Sequence, residues 1–291
     1  MILGTTFSTN HCEYIKLDYQ DSFKQILDLK FDFIRIGTYW SIIESSKEDI
    51  ELDSLMYMLD LCENNGQDVV LTIGMKAPRW PEFYIPKWAQ DNLEQNVLDF
   101  NLKILQFIKN YTCIKYLQIE NEPLDPTWPD NNFVPVNLLY KEIEQAKSFN
   151  YDVIVNFWGN ELTKRNLYPL VINYTDIIGI DIYYNQNIGP NKYTGPLDSD
   201  PKLKKLITKI TKPIWIMELQ AEPWEVDVFY AKDIPPKSIN PKLLEKNYDR
   251  AIKLGVKAIF FWGCEFWLWQ KAKGDLSYLE TIKNIIKDNK T

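Results

Sequence analysis

Residues 51–74 read ELDSLMYMLDLCENNGQDVVLTIG, a helical pattern followed by a short apolar run. Leu52, Leu55, Met56 and Leu59 fall on one helical stripe, and Gly66 stands where a helix C-cap favours glycine. The run VVLTIG (69–74) is rich in β-branched residues and almost continuously apolar, not alternating. Such a strand is expected where both faces are covered, as in a parallel sheet flanked by helices.

The same unit recurs along the chain. Further β-rich runs are ILGTTF (2–7), FIRIG (33–37), KYLQIE (115–120), DVIVNF (152–157), DIIGIDIYY (176–184), PIWIME (213–218) and AIFFWG (258–263). Between them lie helical patterns such as NLEQNVLDFNLKILQFIKNY (92–111) and LSYLETIKNIIKDN (276–289). A third, NPKLLEKNYDRAIKLG (240–255), offers Asn240 as N-cap, Pro241 in the first turn and Gly255 as its end. Eight strand–helix units in one alternation predict an α/β fold, a single (β/α)₈ barrel over residues 1–291. No linker or low-complexity tract divides the chain. The other architecture with this alternation, a doubly wound open sheet, usually carries a glycine-rich turn after its first strand, and no GxGxxG follows ILGTTF.

Composition narrows the chemistry. Of 291 residues, 45% are hydrophobic and 25% charged, with 33 basic and 40 acidic side chains and a net charge of −7. An acidic chain without a basic run is not expected to bind nucleic acid or an anionic membrane surface. No apolar stretch approaches the roughly 20 residues that span a bilayer. MILGTTFSTN lacks the pattern of a signal peptide, which points to a cytoplasmic protein. Cys12, Cys62, Cys113 and Cys264 are scattered and are read as unpaired buried thiols. His11 is the only histidine, so no histidine-based metal site is expected, a Ser-His-Asp machine is improbable, and carboxylates must carry acid–base work. No cofactor is implied, and nothing in the sequence speaks to oligomeric state.

In a (β/α)₈ barrel, function sits at the C-terminal ends of the strands. The fourth run ends in QIENEP (118–123) and the seventh in Glu218. These strands lie on opposite sides of a barrel mouth, so Glu122 and Glu218 are expected to face each other. Two facing carboxylates are the minimal set for cleaving a glycosidic bond.

ENEP closing the fourth strand and WIMEL closing the seventh resemble clan A of the glycoside hydrolases, retaining (β/α)₈ enzymes. The resemblance implies that Glu122 is the general acid/base, Glu218 the nucleophile and Asn121 the amide that binds the sugar 2-hydroxyl. It implies further that Arg35, in FIRIG, keeps the nucleophile ionised, and that Tyr183 hydrogen-bonds it, with Tyr184 as the alternative register. FFWGCEFWLW resembles the end of the eighth strand, with Trp262 as the floor under the reacting sugar. Several families of the clan place a histidine on the third or sixth strand; Lys76 and Arg79 follow the third strand here. For a retaining enzyme the two carboxyls should stand about 5–5.5 Å apart.

The expected activity is therefore retaining hydrolysis of β-glycosidic bonds in an oligosaccharide or small glycoside, with transglycosylation also open. The alternatives are a catalytically silent carbohydrate-binding barrel and, more remotely, a Schiff-base lyase, for which Lys115 and Lys257 lie at the wrong strand ends. Glu120 competes with Glu122 as the acid, but it is expected to point into the barrel and pair with a cation. Glu222 competes with Glu218, but it lies in the following loop. Glu265 is either a ligand for sugar hydroxyls or a surface carboxylate. All tryptophans but Trp215 are expected at the mouth, where flat rings stack on sugars; Trp262, Trp128 and Trp158 lead. Long loops after the third and seventh strands favour a deep pocket and an exo-acting or short-oligosaccharide enzyme.

Overall fold

The computed structural model describes residues 1–126, 132–190, 192–194, 200–225, 230 and 234–290. Each apolar run forms a strand: β1 (Ile2–Phe7), β2 (Phe33–Gly37), β3 (Asp68–Ile73), β4 (Ile114–Ile119), β5 (Asp152–Trp158), β6 (Ile177–Ile182), β7 (Ile214–Gln220) and β8 (Ala258–Trp262). They close into a parallel barrel in the order β1-β8-β7-β6-β5-β4-β3-β2. The fold is a (β/α)₈ barrel, and β3 illustrates why its strands are apolar throughout: every residue from Val69 to Ile73 is buried.

The chain divides into two compact units, residues 33–179 and residues 1–32 with 180–291. In the first unit β2, β3, β4 and β5 pair in parallel, with Gly37 beside Thr72, Thr72 beside Gln118 and Gln118 beside Ile154. In the second, β1 pairs with β8 and β8 with β7. Gly4 stands opposite Phe260, and a Cβ at Gly4 would meet that ring at 2.6 Å, so the close approach requires glycine.

The helices follow from caps and apolar stripes. In the second unit they are α1 (Thr9–Tyr14) and α2 (Tyr19–Leu27). In the first they are α3 (Trp40–Ile43), α4 (Asp53–Asn65), α5 (Leu93–Ile108), α6 (Val136–Ser148) and α7 (Gly159–Arg165). The second unit resumes with α8 (Asp200–Ile207), α9 (Pro241–Ile252), α10 (Cys264–Ala272) and α11 (Ser277–Lys290). Asn240 caps α9 by accepting the Leu243 N–H at 3.0 Å, a contact generally worth ~1 kcal/mol. α4 ends at Gly66 in the left-handed region, φ 63°. Its buried stripe is Leu55, Met58, Leu59 and Cys62, whereas Met56, expected on that stripe, is exposed. All four cysteines are buried, and none of them is in a disulfide. Among the described residues no helix is long and apolar enough to cross a membrane.

Candidate active site

In residues 33–179 the end of β4 departs from strand geometry. Gln118 is buried inside the polar cluster of strand ends, donating to Asn156 Oδ1 at 2.9 Å. Strict alternation would send Glu120 the same way. Instead Glu120 (φ 59°) and Glu122 (φ 45°) both adopt left-handed backbone, which a non-glycine residue enters only when its surroundings enforce it. The first turn swings Glu120 toward the helices. Its carboxylate accepts the Met75 N–H at 3.0 Å and the Lys76 N–H, and it hydrogen-bonds Glu142 of α6. Glu120 therefore does not point into the barrel with a cation as its main partner. The approach is so close that a Cβ on Gly74, itself at φ 125°, would stand 2.3 Å from the Glu120 carboxyl carbon.

The Glu120–Glu142 pair is sealed from water, and burial pushes both carboxyls up, Glu120 to about 7 and Glu142 well above the ordinary range. Asn101 donates to Glu142 Oε1 at 3.0 Å, but Oε2 has no donor among the described residues. One carboxyl of the pair must then carry a proton. A folded-state value above the unfolded one gives stability that is complete below about pH 4.5 and is lost as pH rises through 7. Glu142→Gln supplies an amide N–H to Glu120 without needing that proton. Thermal unfolding should show the variant more stable than the wild type at pH 8, with the gain vanishing toward pH 4.5. A difference independent of pH would show that the pair shares no proton.

Asn121 turns the other way. Its Oδ1 accepts from Arg35 Nη2 at 2.6 Å, Asn156 Nδ2 at 3.0 Å and Gln118 Nε2 at 3.3 Å. With three donors crowding the oxygen, the amide orientation is fixed, and its Nδ2 has no acceptor among the described residues. Arg35 is fully buried and also reaches Thr72 at 3.4 Å. Glu122 is half-buried, and its N–H donates to Asn156 Oδ1 at 2.8 Å. Nearby, Asp125 accepts the Trp158 N–H at 2.8 Å, while burial pushes its carboxyl up to about 7.

In residues 180–291, Glu218 lies two residues before the C-terminal end of β7 and is buried. The Tyr183 hydroxyl donates to Glu218 Oε2. Tyr184 is occupied elsewhere, with the Arg250 guanidinium 3.6 Å from its ring centre. Gln220 orders the loop after β6: its Oε1 accepts the N–H groups of Tyr184 and Asn185, both at 2.9 Å, and its Nε2 donates to the Asn185 carbonyl. Glu265 is neither on the surface nor free, because its buried Oε1 accepts the Ser8 N–H at 2.5 Å. Glu222 is buried and lies 3.7 Å from His11 Nε2, which also meets the Tyr230 hydroxyl at 3.3 Å.

The tryptophans separate into two groups. Trp40 is fully buried, stacked on Phe100 and packed edge-on against Trp88, and Trp267 is fully buried with its indole N–H on the Ala221 carbonyl. These fill the core and cannot stack on a ligand, contrary to the expectation that they sit at the mouth. Trp262 ends β8 and is 8% exposed; Trp158 ends β5 and is half-buried. Trp128 lies outside the described residues. Trp224, not among the leading sequence candidates, is 42% exposed and packs edge-on against Tyr183 with ring centres 4.8 Å apart. Its position after β7 was legible; its contact with Tyr183 was not.

No protein-family model matches this chain, and no curated protein does. Solved structures do resemble it. GH5_18 from Streptomyces cattleya, in complex with GlcNAc, is 12% identical, with 89% of this chain and 70% of that chain covered and a TM-score of 0.62. A psychrophilic glycoside hydrolase family 10 endo-β-1,4-xylanase is 15% identical, with 90% and 86% covered and a TM-score of 0.60. The exo-β-1,4-mannosidase Op5Man5 from Opitutaceae bacterium strain TAV5 is 11% identical, with 89% and 51% covered and a TM-score of 0.63. At these identities the likeness carries the fold. The chain is a (β/α)₈ barrel with carboxylates at the C-terminal ends of β4 and β7.

Proposed function

We propose that this barrel is a retaining β-glycoside hydrolase of the clan A type, with Glu218 as nucleophile and Glu122 as general acid/base. The observation that carries the reading is the hydrogen bond from the Tyr183 hydroxyl to the buried Glu218 at the C-terminal end of β7. A phenol that donates to one carboxylate oxygen holds the other in a fixed direction. The likeness to a xylanase and a mannosidase of the same fold is consistent with a sugar substrate.

In the proposed reaction Glu122 protonates the glycosidic oxygen while Glu218 attacks the anomeric carbon, forming a covalent glycosyl-enzyme. The leaving alcohol departs with that proton. Glu122, now ionised, takes a proton from water, which attacks the same carbon and releases Glu218. Asn121 donates its unpaired amide N–H to the sugar 2-hydroxyl. Trp262, Trp158 and Trp224 offer ring faces to the sugar, and Arg35 holds Asn121 in place. The carboxyl spacing required by this course is about 5–5.5 Å.

Incubation with a panel of 4-nitrophenyl β-glycosides, followed by proton NMR of the first-formed sugar, tests the reading. The expected product is the β-anomer, which mutarotates only later. A first-formed α-anomer would overturn retention. Failure to turn over any β-glycoside or β-linked oligosaccharide would overturn the assignment.

A further inference from the structure

We propose that Lys76 is the positioning residue for the acid/base carboxyl, its buried ammonium holding the left-handed turn that aims Glu122. The inference rests on the reading of Glu122 as the acid/base.

Lys76 follows β3 and is 1% exposed. Burying an ammonium ion is costly unless each N–H finds an acceptor. Its three N–H groups match three acceptors: the Glu122 carbonyl at 2.7 Å, the Asp125 carbonyl at 3.0 Å and Glu82 Oε2 at 3.3 Å. The backbone of the same residue completes the hold. Its N–H donates to Glu120, and its carbonyl accepts the Asn121 N–H at 2.6 Å. One residue thus touches positions 120, 121, 122 and 125, and two of these, Glu120 and Glu122, carry positive φ.

A left-handed glutamate is strained and relaxes when its restraints go. The restraint on Glu122 from the barrel side is its N–H on Asn156. Its carbonyl accepts from the Lys76 ammonium at 2.7 Å and from the Asp125 N–H at 3.0 Å, and the same ammonium ties down the Asp125 carbonyl. Removing the ammonium takes away the buried charge that bridges the Glu122 and Asp125 carbonyls. The Asp125 N–H on the Glu122 carbonyl and the backbone contacts to Glu120 and Asn121 remain, so the turn loosens, Glu122 loses its aim and the rest of the barrel stays intact. A shift of about 1 Å in a catalytic group is enough to cost ~10²-fold in rate.

Kinetics of Lys76→Met and Lys76→Gln on aryl β-glycosides of graded leaving-group acidity test this directly. The expected result is a fall in kcat/KM of about 10²-fold for alkyl or phenyl leaving groups and only a few-fold for dinitrophenolate, which needs no acid. Lys76→Gln, which keeps two N–H donors on a shorter, neutral side chain, should lose less and serves if Lys76→Met does not fold. Glu122→Gln, run alongside, supplies the reference pattern. If Glu122→Gln shows leaving-group dependence and both Lys76 variants lose the same factor on every substrate, the positioning role falls and the enzyme assignment stands. If the wild type cleaves no β-glycoside, both fall together.

Discussion

Glu218→Gln is expected to abolish turnover of every glycoside, whatever the leaving group. The amide is nearly isosteric, so the contact with the Tyr183 hydroxyl at the end of β7 keeps its partners and the fold is preserved. On the proposed mechanism what is lost is the nucleophile that forms the glycosyl-enzyme, and activity should fall by more than the ~10²–10⁴-fold that acid–base assistance alone is worth. Trapping gives a second readout. A 2-deoxy-2-fluoro glycoside with a good leaving group should add one sugar to the wild type on the peptide containing Glu218, and nothing to the variant. A label on any other residue would move the nucleophile.

Glu122→Gln should separate substrates instead of silencing them. Protonation of the leaving oxygen matters in proportion to its basicity, so cleavage of alkyl glycosides and oligosaccharides should drop by about 10²–10⁴-fold. With dinitrophenolate the first step proceeds unaided and the second, which still needs a base, becomes slow. The glycosyl-enzyme then accumulates, seen as a burst of released phenolate followed by a slow steady state. Azide, a nucleophile that needs no base, should restore the steady rate and yield a glycosyl azide. Equal losses on good and poor leaving groups would remove Glu122 from its role and bring Glu120 back. That outcome would be hard to reconcile with Glu120's burial against Met75, Lys76 and Glu142.

Much of this architecture could be read before any coordinate was known. β1 to β8 were legible because strands covered on both faces must be apolar from end to end, and the turns between them are not. The helix ends at Asn240 and Gly66 were legible because capping is a local matter of one side chain or one φ value. The stripe of α4 was only half legible. An amphipathic stripe has two flanks, and what packs against it decides that Met58 is covered and Met56 is not.

The sequence by itself determined the class of fold and the chemical repertoire: a repeated strand–helix unit, one histidine, and glutamates at two strand ends. These depend on composition and short-range periodicity, and both are written in order along the chain. Only the tertiary structure decided what each side chain of QIENEP does. Two positive φ values reverse the alternation there, sending Glu120 to Glu142 on α6 and turning Asn121 onto Arg35. It also decided that Tyr183 and not Tyr184 reaches Glu218, and that Trp40 packs in the core while Trp224 stays exposed. Lys76 was visible as a lysine after the third strand, but its three acceptors lie six to forty-nine residues away. Partners so distant in the chain are brought together by barrel closure and helix packing, and no local pattern encodes their meeting.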